Sequence, residues 1–360
     1  MAGTADYKLG SFTYPRGWFM IADAATLDAG PTTLHFFGKD MVFYRGESGK
    51  PHLVHAYCPH MGAHIGHNST SYVVRDGDRV QGESIRCPFH GWRFGPDGQC
   101  DDIPYSPNFI PKAACLKTYR VIERAGIIWM WHDPEGGAPD QELPPFAQWD
   151  QEADGWVRWL VDDFGTLPIH PIEIVDNMAD FGHMSPIHGS VDCRYFDNLF
   201  EDDRLVQRFD AGHRTLTDGA SGVLSLDTWY QGPGILQAAM QGAYPSHMLI
   251  AHTPVADGVV RLWHALMVKV PRDGGTDEAG RIALARAYQQ ASRDALGQDV
   301  EIWANKEPSF NPMQIPADGP YGKVRIWYRQ FYNPREEAEA FRRRVRGQVV
   351  TFGEDRASAA

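Results

Sequence analysis

The sequence predicts an α+β protein with two domains: a small N-terminal β domain and a larger domain in which helices pack on an antiparallel sheet. The 360-residue length exceeds the roughly 150 residues of one typical domain. A Pro/Gly-rich, acidic stretch at residues 133–155 divides the chain. Short β-type runs precede this stretch, and a mixture of strands and helices follows it. We therefore expect domains at 14–150 and 151–360, with residues 1–13 packed on the second.

The N-terminal half contains β-type runs separated by turn residues. Met41–Arg45 and Leu53–Tyr57 have the composition of strands, and Gly46–Gly49 between them has the composition of a turn. Ile127–Trp131 is a short, continuous apolar run, which is typical of a buried strand. These runs predict a small, mostly β domain before the dividing stretch.

The C-terminal half mixes strand and helix patterns. Leu224–Tyr230 and Val259–Val270 have the composition of strands, whereas Asp176–His183 has helical spacing. Ile282–Leu296 is rich in alanine and Glu336–Gly347 in charged residues, and both compositions favour helices. Strands followed by helices predict an antiparallel sheet with helices on it.

Composition and charge exclude several classes of protein. Hydrophobic residues make up 43% of the chain, which is enough to build cores and excludes a disordered chain. A net charge of −12 argues against nucleic acid or an anionic membrane as the main partner. No apolar run approaches the ~20 residues of a membrane span. The first ten residues lack the basic and apolar regions of a signal peptide, so we expect a cytoplasmic protein.

Two short motifs each place one cysteine close to one histidine. Cys58 is followed by His60, and Cys87 is followed by His90. A [2Fe–2S] cluster with two thiolates on one iron and two imidazoles on the other needs this set of ligands. A tetrahedral zinc site is the alternative, but zinc fingers pair cysteine with cysteine and histidine with histidine. We therefore predict that these four residues bind a [2Fe–2S] cluster.

The residues around these motifs resemble a known domain. We expect Gly62 and Gly91 to bring the backbone close to the cluster and to donate N–H bonds to its sulfides. The segment Tyr57–Pro104 resembles the Rieske domain of Rieske non-haem iron oxygenases. Respiratory Rieske proteins have two further cysteines that form a disulfide, and Ala63 and Phe89 stand at those positions here. The resemblance therefore implies an oxygenase and no disulfide at the cluster.

The stretch between the two cluster motifs is longer than is usual in this family. Its surplus residues, Ser69–Gly82, contain an Asp-Gly pair at positions 76 and 77. This pair is typical of hairpin turns. We therefore expect a β-hairpin extension beside the cluster.

A second group of carboxylates and histidines follows the dividing stretch. On a helix, Asp176, Asp180 and His183 lie on one face, and Pro186 then ends the helix so that His188 turns back toward them. Two histidines and one carboxylate form the facial triad of non-haem Fe(II) oxygenases. Two histidines alone are more often a hydrogen-bonded core pair, but a Rieske domain in the same chain favours an iron site. We predict His183 and His188 as iron ligands.

The family resemblance implies the third iron ligand. In Rieske oxygenases this ligand is an Asp on a late helix, and the corresponding position here is Asp299. Asp294 and Glu301 are the alternatives. Glu301 follows Asp299 by two residues and would face away from it on a helix.

The resemblance also implies roles for the two other carboxylates of this group. In the family, the Asp at the position of Asp180 bridges a cluster histidine of a neighbouring subunit and an iron ligand, which here would be His90 and His183. Such a bridge would provide a short hydrogen-bonded route for electrons. Asp176 is expected to contact an iron ligand rather than the iron, and a solvated helix position is the alternative.

Motifs nearer the C-terminus narrow the resemblance. They are similar to those of the oxygenase component of 3-ketosteroid 9α-hydroxylase, a branch that also resembles sterol 7-desaturases. This resemblance implies a helix-grip type of catalytic domain, one [2Fe–2S] cluster and one mononuclear non-haem Fe(II) per chain, and a homotrimer. It also implies O₂ and an external ferredoxin or NAD(P)H-dependent flavin reductase as partners. The motifs are Phe196–Phe200, Asp299–Trp303, Asn311-Pro312, Asp318–Pro320 and Ile326–Tyr332.

A bulky, apolar substrate is predicted. The runs Trp229–Tyr230, Ile235–Met240, Met248–Ile250 and Leu262–Val270 carry aromatic, methionine and aliphatic side chains, which are more often core than pocket lining. If some of them line the iron cavity, a steroid-like or polycyclic molecule is the expected substrate of a monooxygenase in steroid metabolism. Desaturation or O/N-demethylation at the same iron is the alternative. A pure Rieske electron carrier is disfavoured because it has no use for a second iron site.

Overall fold

The computed structural model describes residues 2–27, 30–217, 222–272, 277–315 and 317–354. The chain forms two compact units. The smaller unit holds residues 20–132, and the larger one holds the described residues before 20 and after 132. The predicted dividing stretch at 133–155 therefore lies where the chain enters the larger unit for the second time.

The smaller unit consists mainly of β-sheets. Its strands are β1 (Gly17–Asp23), β2 (Thr32–Phe36), β3 (Lys39–Arg45), β4 (Pro51–His55), β5 (Val80–Gln81), β6 (Ser84–Arg86), β7 (Arg93–Phe94), β8 (Cys100–Asp102), β9 (Thr118–Tyr119), β10 (Val121–Arg124) and β11 (Ile127–His132), and its helix is α1 (Tyr72–Arg75). In the described residues the strands form sheets with the orders β1-β11-β10, β2-β3-β4-β9 and β5-β6-β7-β8.

The predicted N-terminal β domain is confirmed. β3 and β4 pair antiparallel, with Val42 opposite Val54, across the turn predicted at residues 46–49. β11 is buried along its whole length, as expected for a continuous apolar run. The cluster motifs follow β4 and β6, so short paired strands hold the beginning of both loops.

The insertion between the cluster motifs contains a short helix, so the predicted β-hairpin at residues 69–82 is wrong. The Asp-Gly pair ends α1 instead of forming a hairpin turn. Gly77 has a φ of +81°, and its N–H donates to the carbonyl of Val74 over 3.2 Å. The N–H of Asp78 donates to the carbonyl of Val73 over 2.9 Å. These two bonds form a Schellman motif, in which a left-handed glycine satisfies the last carbonyls of a helix.

The larger unit is built on one antiparallel sheet. Its strands are β12 (Trp156–Val157), β13 (Asp162–Leu167), β14 (Val191–Phe200), β15 (Arg204–Gly212), β16 (Leu224–Gln231), β17 (Ile235–Gln241), β18 (Ser246–Ala256), β19 (Val259–Lys269) and β20 (Gly347–Phe352). Their order is β12-β19-β18-β17-β16-β15-β14-β20, and β13 also pairs with β19. The strands predicted at 224–230 and 259–270 correspond to β16 and β19.

Helices complete the larger unit, as predicted for an α+β domain. They are α2 (Pro171–Val175), α3 (Glu278–Asn305), α4 (Tyr321–Arg329) and α5 (Ala338–Val345). The helices predicted at 282–296 and 336–347 correspond to α3 and α5. α3 begins after Asp277, whose side chain accepts the N–H of Gly280 over 2.8 Å, and the helix packs on β19.

One face of α3 is buried along the whole helix. Its buried side chains recur every three or four residues, which is the helical period. Polar residues interrupt this face, so α3 has a weak apolar periodicity although it packs on the sheet. The buried residues are Arg281, Ala285, Tyr288, Gln289, Ser292, Leu296, Asp299 and Trp303.

The helical spacing of residues 176–183 does not correspond to one helix, so that prediction is wrong. α2 ends at Val175, and one turn of 3-10 helix covers Asp176–Met178. The chain then leaves helical geometry, and the side chain of Asp180 accepts the N–H of His183 over 3.2 Å. Short polar side chains compete in this way with the backbone bonds of a helix.

An apolar core holds the helices of the larger unit together. Ile172 and Val175 of α2 pack in one cluster with Leu296 of α3 and with Trp327 and Tyr328 of α4. Burial of large side chains such as these supplies most of the stabilisation of a fold. Across the described part of the chain, no helix has the length and hydropathy that crossing a membrane requires.

Candidate metal centres

The two predicted cluster loops have the same backbone conformation. In each, the glycine four residues after the cysteine has a positive φ, which is +72° at Gly62 and +74° at Gly91. The glycine N–H donates to the carbonyl of the cysteine, over 2.9 Å to Cys58 and 3.1 Å to Cys87. The expectation that these N–H groups point to the cluster sulfides is therefore wrong. Glycine suits this turn because it adopts the left-handed conformation without strain.

The four predicted cluster ligands come together at these loops. Cys58 and Cys87 are each only 2% exposed, and their side chains share a hydrogen bond. The hydrogen bond from Cys58 lowers the pKa of Cys87, against the opposing effect of burial. The ring centres of His60 and His90 lie 4.7 Å apart.

This set of donor atoms fits a [2Fe–2S] cluster with mixed ligands. Two thiols and two imidazoles are the ligands of a Rieske centre. The backbone N–H of His60 donates to the sulfur of Cys58, and those of Phe89 and His90 donate to the sulfur of Cys87. Such bonds stabilise the thiolates that bind iron.

Trp92 is a residue of this site that the sequence reasoning missed. Its ring stacks on His60, with 4.3 Å between the ring centres and 8° between the planes. Its Nε1 donates to the hydroxyl of Tyr105 over 2.7 Å, which fixes the indole ring. The stacking therefore limits the orientation of one cluster ligand. The position of Trp92 directly after the second motif could have indicated this role.

Large apolar side chains are exposed around the cluster loops. Met61 and Phe89 in the loops are 67% and 60% exposed, and Tyr72 of α1 is 72% exposed. Ser71 Oγ donates to the carbonyl of Pro88 over 2.6 Å, so the insertion is tied to the second cluster loop. An exposed apolar patch of this kind is typical of a surface that contacts another protein.

His183, His188 and Asp299 come together in the larger unit. One possible ligand atom from each lies within 4.8 Å of the others. His183 Nε2 lies 3.8 Å from Asp299 Oδ1, and His188 Nε2 lies 3.4 Å from Asp299 Oδ2. Two imidazoles and one carboxylate are the ligands of the facial triad, so these residues fit non-haem Fe(II).

Hydrogen bonds at Nδ1 orient both histidines. His183 Nδ1 donates to the backbone carbonyl of Asp180 over 2.6 Å, and His188 Nδ1 donates to Oε1 of Gln298 over 3.2 Å. Each ring therefore carries a proton on Nδ1, which leaves Nε2, the nitrogen that faces Asp299, as the atom that can bind a metal. The sequence reasoning missed Gln298, although its position beside Asp299 could have indicated it.

The charges around His183 favour a cation. Asp180 Oδ2 lies 3.5 Å from His183 Nδ1, in addition to the carboxylate of Asp299 on the opposite side of the ring. Burial lowers the pKa of His183, but the hydrogen bond with Asp180 and the charge of Asp299 outweigh burial and raise the pKa above its ordinary value. A site that favours positive charge suits a metal ion.

Asp180 and Asp176 have different partners. The carboxylate of Asp180 also accepts a hydrogen bond from Tyr321. Asp176 is buried, and its two oxygens lie 3.1 and 3.2 Å from Nε of Arg325. Among the described residues, Asp176 makes no hydrogen bond to His183 or His188. The alternative of a solvated Asp176 is wrong, because this carboxylate forms an ion pair that joins the end of α2 to α4.

The two alternative carboxylates of α3 lie away from the histidines. The side chain of Asp294 is 63% exposed and accepts a hydrogen bond from Gln290 over 2.7 Å. Glu301 is also exposed. Asp299 instead belongs to the buried face of α3. The helical period therefore brings only one of the three carboxylates to the histidines.

An apolar cavity of about 150 Å³ is lined by His183, His188 and Asp299. Trp303, one turn after Asp299 on α3, closes part of its wall. Four flexible methionines contribute to the lining. They are Met178, Met184, Met240 and Met248.

Only some of the strand residues that were predicted as a possible pocket lining line this cavity. Leu236 and Met240 of β17 and Met248 and Ile250 of β18 line the cavity. Trp229–Tyr230 and Leu262–Val270 are not among its lining residues. Within β17 and β18 the lining residues follow the pleat, because alternate residues of a strand point to opposite faces of the sheet.

Two families match the chain. Residues 17–120 match the family described as "Rieske [2Fe-2S] domain". Residues 130–332, which are more than half of the chain, match the family described as "3-Ketosteroid 9alpha-hydroxylase C-terminal domain".

Individual proteins are similar over most of the chain. A probable 3-ketosteroid-9-alpha-monooxygenase, oxygenase component, of Rhodococcus rhodochrous is 34% identical, and the match covers 89% of this chain and 80% of that protein. Cholesterol 7-desaturase nvd of Bombyx mori is 26% identical, with 91% and 71% covered. The solved structure of NdmA from Pseudomonas putida CBB5 has a TM-score of 0.68 and 17% identity, with 97% and 98% covered. This structural likeness shows the fold.

Proposed function

This chain belongs to the family of Rieske oxygenases with a 3-ketosteroid 9α-hydroxylase C-terminal domain, and on this basis we propose that it hydroxylates a steroid-like, fused-ring molecule. It is a Rieske-type monooxygenase, the oxygenase component of a multicomponent system. One observation carries the proposal. The side chains of the His183, His188 and Asp299 group line an apolar cavity, so a bound substrate would lie beside the proposed iron.

Residues of both units are assigned to the two metal centres. Cys58 and Cys87 would hold one iron of the Rieske cluster, and His60 and His90 would hold the other. His183, His188 and Asp299 would hold a mononuclear Fe(II). When bound, the cluster supplies electrons one at a time and Fe(II) activates O₂. The protein keeps the Nε2 atoms of His183 and His188 free for the metal by bonding their Nδ1 protons.

The lining of the cavity supports a bulky, apolar substrate. A cavity of about 150 Å³ is large enough for one benzene ring, so a fused-ring molecule requires the lining to move. Methionine side chains are unbranched and flexible, and the four in this cavity can make room at low cost. The apolar wall would also exclude water from the reacting carbon.

Asp180 is assigned to the electron path between subunits. In the proposed homotrimer, His90 of one subunit reaches Asp180 of the next. Two observations support it: Asp180 Oδ2 lies 3.5 Å from His183 Nδ1, and large apolar side chains are exposed around the cluster loops. Asp176 is assigned a supporting role, since its ion pair with Arg325 fixes the segment that leads to Asp180.

The oxygenase component acts together with O₂ and a separate electron donor. Hydroxylation needs two electrons from outside the chain, and a ferredoxin or an NAD(P)H-dependent flavin reductase is the proposed source.

Turnover with a surrogate reductase tests the proposed function. The purified protein would be incubated with NADH, O₂ and a panel of steroids and polycyclic aromatic molecules, and products would be identified by mass spectrometry. We expect a product that contains one additional oxygen atom from O₂. Turnover confined to small benzoates or charged amines would contradict the proposal.

Desaturation is the second candidate, because the chain is also similar to a cholesterol 7-desaturase over 91% of its length. The same screen separates the two reactions, since a desaturated product lacks two hydrogen atoms and gains no oxygen. Loss of a methyl group from a methoxy or N-methyl probe would instead indicate demethylation.

A further inference from the structure

A buried series of hydrogen bonds leads to the cavity wall and involves none of the proposed iron ligands. Asp162 of β13 and His264 of β19 lie directly opposite each other in an antiparallel pair. Asp162 Oδ2 lies 2.9 Å from His264 Nδ1, and His264 Nε2 lies 3.0 Å from Ser292 Oγ. Ser292 lines the cavity from the buried face of α3, two helical turns before Asp299.

Asp162 lies at the end of this hydrogen-bond series that is farther from the cavity, and its side chain is ionised. Gln289 Nε2 donates to its Oδ2 over 2.9 Å, and Arg293 Nε lies 3.8 Å from its Oδ1. Burial raises the pKa of Asp162, but the hydrogen bonds from His264 and Gln289 outweigh burial and leave the pKa below its usual value. An ionised carboxylate only accepts hydrogen bonds, so the proton between Asp162 and His264 belongs to His264 Nδ1.

The protonation of His264 decides what Ser292 can do. His264 is 0% exposed, and burial lowers its pKa more than the nearby Asp162 raises it, so the ring is neutral. A neutral imidazole has one N–H and one acceptor nitrogen. Because the proton is on Nδ1, Nε2 accepts the hydroxyl proton of Ser292. The oxygen of Ser292 then presents only lone pairs to the cavity.

We propose that Ser292 is a specificity-determining residue that accepts a hydrogen bond from a hydroxyl group of the substrate. The inference rests on the proposed function and narrows its substrate class to an apolar molecule with an alcohol or phenol group. A ketone at the same place has no proton to donate. The ketone oxygen and the Ser292 oxygen, which are both acceptors, would then face each other. Otherwise the Ser292 proton would have to turn from His264 to the ketone, which would leave Nε2 of His264 without a partner in a buried site.

Ser190 provides a matched comparison within the same cavity. It also lines the cavity, and its buried Oγ has no hydrogen-bond partner among the described residues. Its hydroxyl can therefore rotate to act as donor or acceptor. The hydroxyl of Ser292 also lies 3.6 Å from Sδ of Met248, but a thioether sulfur is a weak acceptor. The Asp162–His264 pair therefore directs the Ser292 proton to Nε2 of His264. Removing either hydroxyl changes the cavity volume by one oxygen atom, so the two serine variants differ mainly in this hydrogen-bond series.

Binding of small probes to the purified holoenzyme, kept anaerobic and without reductase, tests the proposal. The probes are 2-naphthol, 2-methylnaphthalene and 2-acetylnaphthalene, and calorimetry measures their dissociation constants. We expect 2-naphthol to bind about tenfold more tightly than 2-methylnaphthalene. Ser292→Ala should remove this preference without weakening 2-methylnaphthalene, whereas Ser190→Ala should retain it. Equal binding of the probes to the unmodified protein, or loss of the preference only in Ser190→Ala, would overturn the proposal.

A second measurement determines, in the absence of a ligand, which ring nitrogen of His264 carries the proton. Nitrogen-15 NMR of histidine-labelled protein should show the proton of His264 on Nδ1. In Asp162→Asn, the new amide can donate to Nδ1 and move the proton to Nε2, which would turn Ser292 into a donor toward the cavity. We expect this variant to prefer 2-acetylnaphthalene over 2-naphthol. A proton on Nε2 in the unmodified protein would overturn the inference.

These experiments separate the inference from the proposed function. If no naphthalene binds, the cavity does not take fused rings, and both the proposed substrate class and the role of Ser292 are contradicted. If all three naphthalenes bind equally, the substrate class stands and only the role of Ser292 is overturned.

Discussion

The Nδ1 atom of His188 lies 3.2 Å from the side-chain oxygen of Gln298, the residue that precedes Asp299 on α3. Adjacent positions of one helix thus provide the proposed iron ligand Asp299 and the side chain that orients the iron ligand His188. Carboxylates and amides that bond to metal-binding histidines contribute to metal affinity as well as to geometry. The contact links the two parts of the iron site that lie farthest apart in the chain.

Gln298→Ala is expected to weaken Fe(II) binding by about 10- to 100-fold, because His188 loses the acceptor for its Nδ1 proton. Competition with a chelator, followed by iron analysis, measures the affinity. Gln290→Ala is the matched control, since Gln290 lies on the same helix and bonds to the exposed Asp294. Equal affinities in Gln298→Ala and the unmodified protein would contradict the role of Gln298.

Asp299→Ala should lose the mononuclear iron and all turnover. The visible absorption of the cluster should remain, because the cluster ligands belong to the smaller unit. Iron analysis of the anaerobically purified protein should fall from three irons per chain, two in the cluster and one mononuclear, to two. Asp294→Ala and Glu301→Ala are the controls on the same helix. Retention of three irons in Asp299→Ala, with loss in either control, would show that the ligand is misassigned.

Asp180→Asn should keep both metal centres and lose nearly all turnover. The amide has the size of the carboxylate but lacks its charge and half of its acceptor capacity, so the proposed bridge from His90 of one subunit to His183 of the next is broken. The variant should also keep the oligomeric state of the unmodified protein. Iron analysis measures the metal content, size-exclusion chromatography the oligomeric state, and single-turnover kinetics the electron transfer. Full turnover in this variant would argue against a role for Asp180 in electron transfer.

Mixing two inactive variants tests the path between subunits directly. Cys87→Ala lacks the cluster and His183→Ala lacks the mononuclear iron, so each alone should be inactive. Mixed trimers of the two should recover part of the activity, because an intact cluster can then serve an intact iron across the interface. No recovery in mixed trimers of verified composition would mean that electrons stay within one chain.

Acidification is expected to destabilise the larger unit, partly through His252. This residue is 0% exposed, its Nε2 lies 2.8 Å from the hydroxyl of Tyr230, and burial lowers its pKa from 6.5 to about 3. The unfolded chain therefore binds a proton that the folded chain does not. The contribution of His252 to stability is complete above pH ~6.5 and is lost as the pH falls toward 3, with a loss of about 2 kcal/mol between pH 7 and pH 5.

Urea unfolding at pH 7 and at pH 5, followed by tryptophan fluorescence, measures this effect. Lowering the pH from 7 to 5 should decrease the free energy of unfolding of the unmodified protein by about 2 kcal/mol more than that of His252→Gln. His35→Gln is the control, because the side chain of His35 is 48% exposed. The same pH dependence in all three proteins would contradict the assignment.

The prediction of the cluster ligands came from motifs that are short in sequence. Cys58 and His60, like Cys87 and His90, lie within four positions of each other, so the local chain conformation keeps each pair together. The prediction of Asp299 as an iron ligand depended on the family resemblance. It lies far along the chain from His188, and no local pattern indicates which carboxylate of α3 faces the histidines.

Two local patterns were misinterpreted because each is compatible with more than one structure. Asp-Gly at positions 76 and 77 is typical of hairpin turns, yet the same left-handed glycine ends α1 through a Schellman motif. The spacing of Asp176, Asp180 and His183 fits a helix, yet the helical geometry ends at Met178 and the side chain of Asp180 then accepts the backbone N–H of His183. Hydrogen bonds of individual backbone groups decided both cases, and composition does not encode them.

The sequence by itself determined the chemistry of this protein: a cluster motif with two thiols and two imidazoles, a pair of histidines, and a chain that resembles an oxygenase over most of its length. These properties follow from residue type and short-range spacing. Only the tertiary structure decided that Asp176 pairs with Arg325, that Gln298 orients His188, and that Asp162 directs the proton of Ser292 through His264. Each of these contacts joins residues that are distant in the chain. Sheet register and helix packing set their distances, and a buried polar group stabilises the fold only when its partner lies within hydrogen-bond reach.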